Sequence, residues 1–274
     1  MTTHPPANGT IETRMRVLTW NLWWRFGPWE ERAPAIAATL REVDADIIAL
    51  QEVWDDGTNN FAAQLADELG YNYVYAPGAK PNGIYMGNAI LSRWPIANHE
   101  VAALFDQKNA EEHRVVIRAV IDGPRGSFPV FSTHLNWQQQ HSHIRQKQVV
   151  DLARFIDQTR PWKYPPILCG DFNADPHSEE IRMLLGQTTC PVDNLVFHDA
   201  WAFIHPEKTG FTWDNANPYV AQSYEPDRRI DYIFTGWPRA RGAGHVVDCQ
   251  IVGDGPVNGV WPSDHHALVA ELRY

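Results

Sequence analysis

Ile167-Leu168-Cys169-Gly170-Asp171-Phe172-Asn173-Ala174-Asp175-Pro176 is the stretch that decides the fold, because it joins a buried strand to a polar turn. Its apolar run is typical of a buried strand, and the glycine begins a turn. If strand geometry continues through that turn, Asp171 and Asn173 leave on the same face and can act on one water molecule. The structural alternative is an Asx-rich turn before a helix, with Asp175 as N-cap and Pro176 as the first helical residue. This stretch alone leaves both interpretations open.

The chain of 274 residues carries no linker-like, low-complexity or charged segment that would divide it. We therefore expect a flexible tail at residues 1–14 and a single α/β domain at residues 15–274. The composition, 44% hydrophobic and 20% charged, is that of a globular protein with a sizeable core. A net charge of −10 argues against a broad basic surface for nucleic acid, but it allows phosphate to bind through a cation.

Cysteine use and hydropathy indicate the cellular setting. Cys169, Cys190 and Cys249 cannot all pair and show no CxxC spacing, so we expect neither a disulfide framework nor a zinc ribbon. A reducing compartment, the cytoplasm, fits best. The sequence has no run of eighteen apolar residues and no apolar core of a signal peptide near residue 1, so we expect no membrane span. A monomer is the default expectation.

Periodicity predicts the other elements. Apolar residues at helical spacing predict helices at residues 31–43, 59–70 and 142–159 and a short helix around residues 181–185. Apolar runs and alternation predict strands at residues 15–22, 45–53, 71–76, 87–93, 113–122, 128–135, 228–234 and 261–269.

Polar residues stand where several of these predicted strands end. Asn21 ends the first strand, Glu52 follows the continuous apolar residues 47–50, and His134 follows an apolar run in the strand at residues 128–135. A buried glutamate is costly unless it is paired or binds a cation, and hard cations prefer carboxylate oxygen. The structural alternatives are a satisfied salt bridge for Glu52 and an ordinary core histidine for His134.

The last third of the chain adds an acid and an imidazole. Asp231 is flanked by Ile230 and Tyr232, so it needs a partner to stay charged. We predict that His265 is this partner, in a pair whose carboxylate fixes the tautomer of the imidazole. The alternative is that both residues are half-exposed ends of edge strands.

Seven short motifs occur in a fixed order across residues 15–272: Thr19-Trp20-Asn21-Leu22, Leu50-Gln51-Glu52-Val53, residues 87–93, Ser132-Thr133-His134-Leu135, Gly170-Asp171-Phe172-Asn173, Arg229-Ile230-Asp231-Tyr232-Ile233 and Ser263-Asp264-His265-His266. Together they resemble the successive motifs of the endonuclease/exonuclease/phosphatase (DNase I-like) superfamily. The resemblance implies a four-layered α/β sandwich, with two mixed β-sheets packed face to face, helices on the outside and the catalytic groups at one edge. It also implies a phosphoester hydrolase that depends on magnesium or manganese.

The resemblance assigns Glu52 as the principal carboxylate ligand of the metal, with Asn21 beside it and Asp264 as a further contact. An oxygen-rich donor set of this kind favours Mg²⁺ or Mn²⁺ over zinc. Three other histidines raise the alternative of a zinc site, although their spacing matches no zinc motif: His141, His143 and His266.

The resemblance also assigns catalytic roles. Asp171 would position or deprotonate the attacking water, and Asn173 would hydrogen-bond a phosphoryl oxygen. His265, oriented by Asp231, would face the scissile phosphate. His134 stands where the abasic-site endonuclease branch has tyrosine, which points instead to sphingomyelinase-like, deadenylase-like and inositol-phosphatase-like branches.

The expected substrate contacts are Arg114, Trp137, Trp213, Asn88 and Arg145. The two tryptophans could stack on a base, a sugar or a lipid-like group, although packing is their default role. Because the chain is acidic, we expect hydrolysis of a small or medium soluble phosphoester. A nuclease acting on DNA or RNA is the alternative, and a non-catalytic module that binds a phosphorylated ligand is the second alternative.

Overall fold

A computed structural model describes residues 13–106 and 112–274. Within these ranges, twelve strands form two six-stranded sheets, and five α-helices flank them. The strands are β1 (Arg14–Asn21), β2 (Ile47–Asp55), β3 (Asn72–Pro77), β4 (Tyr85–Ser92), β5 (Ile96–Ala103), β6 (Val115–Gly123), β7 (Gly126–His134), β8 (Ile167–Asp171), β9 (Phe197–Asp199), β10 (Asp231–Gly236), β11 (Val246–Val252) and β12 (Ala267–Arg273). The helices are α1 (Trp29–Val43), α2 (Phe61–Leu69), α3 (Ser142–Gln158), α4 (Glu179–Leu184) and α5 (Ala200–Ile204).

Both sheets are mixed. The first has the order β11-β12-β1-β2-β4-β3 and the second has the order β5-β6-β7-β8-β10-β9. The β1–β2 and β7–β8 pairs are parallel, and the other neighbours are antiparallel. The carboxyl ends of β1 and β8 therefore lie beside the amino ends of their antiparallel neighbours, β12 and β10.

Three apolar clusters separate four layers. The central cluster lies between the sheets and contains Val17 and Ile47 from one sheet with Val130 and Ile167 from the other. A second cluster joins α1 and α2 to the outer face of the first sheet, and a third joins α3 and α4 to the outer face of the second sheet. The predicted four-layered sandwich is confirmed.

The alternation of side chains along each central strand produces this layering. In β1, Val17 faces the central cluster, whereas Leu18 and Trp20 face the helices. A strand buried on both faces reads as a continuous apolar run, which is why residues 47–50 carry no polar side chain.

Four elements were not predicted from the sequence: β5, β9, β11 and α5. Most side chains of β5 are exposed at a sheet edge, so its sequence lacks the apolar alternation of a half-buried strand. The strand β9 and the helix α5 have only three and five residues, too few for a periodic signal.

Several element boundaries differ from prediction. The strand β10 begins at Asp231 instead of residue 228, and β12 begins at Ala267 instead of residue 261. The helix after the polar turn begins at Glu179, with Ser178 at its N-cap position, so the alternative that Asp175 caps it is wrong. Asp175 instead forms an ion pair with Arg228 at 3.2 Å.

The predicted tail lies almost entirely outside the described residues, and β1 begins at Arg14, one residue earlier than expected. Within the described part of the chain, no helix has both the length and the apolar character needed to cross a bilayer.

Gly170 permits the close approach of β7 and β8. Its φ is +153°, and a Cβ atom at this position would lie 2.1 Å from the backbone oxygen of Thr133. This pair carries His134 and Asp171 in register at its end. A side chain at residue 170 would push apart the two strands that deliver these groups.

We expect Gly170→Ala to lower the free energy of unfolding by about 1–3 kcal/mol or more, because the methyl group overpacks against a backbone atom. Urea denaturation measures the loss. Gly255→Ala is the matched control, since a Cβ there meets no atom within 4 Å. Equal stability of the two variants would contradict the steric argument.

Candidate active site

The polar strand ends meet at one edge of the sandwich. Asn21, His134 and Asp171 are the last residues of β1, β7 and β8, and Asp231 is the first residue of β10. The registers place Asp171 opposite both His134 and Asp231. His265 lies two residues before β12, the antiparallel neighbour of β1. The fold therefore gathers side chains from widely separated parts of the chain.

Glu52 reaches this edge through an irregularity inside β2. The sequence predicted that Glu52 lies at the polar end of this strand. The strand instead continues to Asp55. The register against β4 shifts between Leu50 and Val53, and Glu52 has a φ of +53°. A bulge of this kind redirects a side chain, and a left-handed non-glycine residue costs about 1–3 kcal/mol. The fold thus holds Glu52 towards the cleft in a strained backbone.

The side chain of Asn21 connects the two sheets. Its Nδ2 donates to Oε1 of Glu52 at 3.2 Å and to Oδ2 of Asp171 at 3.0 Å. A second buried link lies below, where Nε2 of Gln51 donates to Oγ of Ser132 at 3.0 Å. Two carboxylates from opposite sheets therefore share one neutral donor.

Burial makes these carboxylates unfavourable as bare anions. Burial first, and then the charge of Asp264, raise the pKa of Glu52 from 4.5 to about 7. Burial and the charge of Asp231 raise the pKa of Asp171 from 3.8 to about 6. Burial also raises the pKa of Asp264. A nearby cation would relieve this cost.

The residues fit a divalent metal ion. Oε2 of Glu52 is buried and has no hydrogen-bond partner among the described residues. Asp264 adds a second carboxylate, whose charge acts on Glu52, and carboxylate oxygens suit Mg²⁺ or Mn²⁺. Asn21 faces Glu52 with its amide nitrogen, because its Oδ1 accepts a hydrogen bond from the backbone N–H of Trp23 at 2.9 Å. Ligand atoms of Asp171, Asp231 and His265 also lie within 4.8 Å of one another. In that second group the imidazole and one carboxylate already bind each other, so we favour the oxygen set around Glu52.

His265 and Asp231 form the predicted pair. Nδ1 of His265 donates to Oδ2 of Asp231 at 2.9 Å, and Nε2 lies 3.8 Å from Oδ2 of Asp171. Burial by itself lowers the pKa of His265, but Asp231, Asp264 and Asp171 together raise it well above 6.5. These carboxylates therefore favour the cationic form of the imidazole, whose Nε2 is directed towards Asp171.

His134 has a different environment. Its Nδ1 lies 2.7 Å from Nη1 of Arg114, and its Nε2 lies 3.1 Å from Nδ2 of Asn173. Burial, Arg114 and His265 lower the pKa of His134 well below 6.5. Asn173 has a φ of +50°, and its backbone N–H donates to Oδ1 of Asp171 at 2.8 Å. Asp171 and Asn173 thus converge through an Asx turn and not through continued strand geometry.

A cavity of about 340 Å³ opens in front of these groups. Three of the predicted substrate contacts line it: Arg114, Trp137 and Trp213. Asn88 and Arg145 do not, which corrects their predicted placement. Nδ2 of Asn88 donates to the carbonyl of Val115, between the sheets, at 2.9 Å. Arg145 is buried against Glu180 and donates to the carbonyls of residues 136, 138 and 139, so it holds the loop that carries Trp137.

Sequence reasoning did not name several wall residues of the cavity: Trp23, Phe26, Met86 and Glu112. The aromatic cluster directly after the Asn21 motif was the available signal. Arg32 holds this loop from α1, where it is buried and donates to five carbonyl oxygens: Leu22, Trp23, Trp24, Phe26 and Pro262. Nothing in the periodicity of the helix distinguishes Arg32 from a surface arginine.

The three histidines of the zinc alternative do not form one group of ligands, although the rings of His141 and His143 lie 5.8 Å apart. The group of metal-binding side chains found among the described residues contains none of His141, His143 and His266. His266 instead lies against Asp214, at 3.3 Å.

The raised pKa of Glu52 predicts a pH-dependent stability in the absence of metal. Because the folded state holds this proton more tightly than the unfolded state, stability is lost as pH rises from 4.5 through about 7. Glu52→Gln removes this loss, so with a chelator the variant should gain about 1–3 kcal/mol over wild type between pH 5 and pH 8. Denaturation at both pH values measures it. Added Mg²⁺ should stabilise only wild type at pH 8, and identical pH dependence of the two proteins would contradict the assignment.

The comparisons with known proteins agree with this geometry. The family model described as "Endonuclease/Exonuclease/phosphatase family" matches residues 18–265. The protein YbhP of Escherichia coli K12 is 30% identical over 181 residues, which cover 60% of this chain and 68% of YbhP.

Two solved structures share the fold. A family protein from Leptotrichia buccalis superposes with a TM-score of 0.74 at 20% identity, covering 95% of this chain and 100% of that one. TDP2 of Caenorhabditis elegans gives a TM-score of 0.73 at 24% identity, covering 97% of this chain and 77% of that one. Members of the matched family are typically hydrolases that act on phosphoesters. The chain belongs to the endonuclease/exonuclease/phosphatase family.

Proposed function

We propose that this protein hydrolyses a phosphoester, as a phosphodiesterase or phosphatase that depends on Mg²⁺ or Mn²⁺. The observation that carries the proposal is the buried pair of Glu52 and Asp171, bridged by Asn21, with one oxygen of Glu52 unpaired. Burying two carboxylates together is costly, and core packing does not require it. The site fits a metal that neutralises phosphoryl charge and helps the leaving oxygen depart.

Asp171 orients the attacking water. Both of its oxygens accept a hydrogen bond, from Asn21 and from the backbone of Asn173, so the carboxylate cannot rotate. With a pKa raised to about 6, it is an anion at neutral pH and still basic enough to accept a proton. We assign Asp171 as the residue that positions the water and receives its proton.

The opposite side of the site supplies donors to the phosphoryl group. His265, held by Asp231, offers Nε2 and a positive charge. Asn173 and His134 offer side-chain N–H groups from the neighbouring turn and strand. Donors fixed before substrate arrives stabilise developing negative charge without reorganisation.

The cavity favours a small or medium substrate. A volume of about 340 Å³ suits part of a small molecule, and the net charge of −10 disfavours a long polyanion. One observation favours the nuclease alternative: Trp137 and Phe26 line the cavity with 58% and 43% of their surface exposed, so both can stack on bases. We further propose a cytoplasmic location, since the cysteines at 169, 190 and 249 are free. A monomer remains the default expectation.

We expect Glu52→Gln and Asp171→Asn each to lower kcat by at least about 100-fold while the fold persists, because each removes a charge that acts on the reacting group. The assay compares bis(p-nitrophenyl) phosphate, p-nitrophenyl phosphate and a short single-stranded oligonucleotide, each with Mg²⁺, Mn²⁺ or a chelator. Circular dichroism checks the fold.

Glu68→Gln is the matched control, because Glu68 is half-exposed and pairs only with Arg41 on the surface. Release from the diester supports a phosphodiesterase, and release from the monoester supports a phosphatase. Preferred cleavage of the oligonucleotide, with binding that weakens steeply in salt, would favour the nuclease. Wild-type rates for both variants would refute the site, and no turnover of any substrate would favour a binding module.

A further inference from the structure

The two histidines of the site have opposite partners on the same ring nitrogen. Nδ1 of His265 faces a carboxylate, which only accepts, so this nitrogen carries a proton. Nδ1 of His134 lies 2.7 Å from Nη1 of Arg114, and a guanidinium only donates. This Nδ1 is therefore an acceptor without a proton. Since a neutral imidazole carries one proton, that of His134 is on Nε2.

We propose that Arg114 is a positioning residue that fixes His134 as a neutral imidazole with its proton on Nε2, so that His134 acts only as a hydrogen-bond donor to a phosphoryl oxygen. The identity of that acceptor rests on the proposed function. Because Nδ1 accepts a hydrogen bond from Arg114 and Nε2 carries the proton, His134 has no free lone pair for a metal ion and cannot act as a base. The assignment separates the tasks of two histidines that sequence reasoning could not distinguish.

The surroundings of Nε2 fit a donor. This atom lies 3.4 Å from Oδ2 of Asp171 and 3.9 Å from Oε1 of Glu52. Nδ2 of Asn173, a second donor, lies 3.1 Å away. Two adjacent N–H groups cannot satisfy each other, whereas one oxygen between them accepts from both. A phosphoryl oxygen at the wall of the cavity meets this requirement.

Arg114 makes a hydrogen bond to His134, and its charge also interacts with the carboxylates of Glu112, Glu52 and Asp171. The residue is only 8% exposed, and its buried Nε has no hydrogen-bond partner among the described residues. Burying an incompletely paired guanidinium is costly. Because arginine cannot give up its proton at ordinary pH, its contact determines the tautomer of the ring without ambiguity.

The ¹⁵N chemical shifts of His134 test the assignment directly, without turnover. In protein labelled with ¹⁵N-histidine, the signals of His134 are those missing from the His134→Gln variant. We expect a protonated Nε2 and an unprotonated Nδ1 in wild type, and a shift of the Nε2 resonance when inorganic phosphate is added. Arg114→Met should give a mixture of tautomers, whereas Arg118→Met, in the strand β6 that begins directly after Arg114, should leave the signals unchanged.

Kinetics separates positioning from direct substrate contact. Removing one fixed donor typically lowers kcat by about 10²–10³-fold, and we expect a loss of this size for Arg114→Met. His134→Gln keeps an N–H donor near the position of Nε2, so it should retain far more activity than His134→Ala. In the His134→Gln background, Arg114→Met should cost less than about tenfold, because an amide needs no tautomer fixed.

Several results would overturn the proposal. A proton on Nδ1 of His134 in wild type would do so whatever the variants do, as would an equally large loss from Arg114→Met in both backgrounds. If Arg114→Met does not fold, Arg114→Lys replaces it, and a lysine that leaves the proton on Nε2 supports the proposal. A wild-type Nε2 proton that responds to phosphate supports the assignment of His134 even if no phosphoester is hydrolysed, a result that would reject only the proposed function.

Discussion

The carboxamide of Asn21 is the interaction on which the site depends. It lies at the end of the central strand of one sheet and donates to a carboxylate from each sheet, Glu52 and Asp171. Burial raises the pKa of both acids, and the charges of Asp264 at Glu52 and of Asp231 at Asp171 raise it further. The neutral amide of Asn21 offsets only part of this cost. The contact that fixes the geometry of this edge thus joins the two carboxylates beside which we propose a cation.

The strand order of both sheets places Asn21, Glu52 and Asp171 at the same edge. Each sheet contains one parallel pair of strands, and its other neighbouring strands are antiparallel. The carboxyl ends of some strands therefore lie beside the amino ends of others at one edge. Gly170 lets β7 and β8 approach closely, and the bulge in β2 directs Glu52 into the cleft. Arg32 gathers the carbonyls of the loop after β1 and of the segment before Asp264. Backbone strain and buried charge are concentrated at the candidate active site, as is common where a site is preorganised.

Charge is distributed across the cleft in a way that suits phosphoryl transfer to water. Asp171 and Glu52 lie on the side where we propose that water and metal bind, and Nε2 of His265 lies 3.8 Å from Oδ2 of Asp171. His134 and Asn173 form a neutral donor edge. Aromatic and apolar side chains line the outer cavity with two arginines, Arg114 and Arg228. Such a wall fits a flat or apolar group attached to the phosphate of the substrate that we propose.

The sequence by itself determined most of the strands and helices and the polar positions of the candidate site, because continuous apolar runs identify buried strands and a polar residue in such a run is costly. The layered architecture followed from the resemblance of its motifs to a known family. It also led to the pairing of His265 with Asp231, since a buried acid needs a partner. Only the tertiary structure decided that Glu52 lies in a bulge, that Arg145 supports a loop instead of lining the cavity, and that Arg114 contacts His134. These facts depend on contacts between residues distant in the chain, and local periodicity carries no information about which partners the fold brings together.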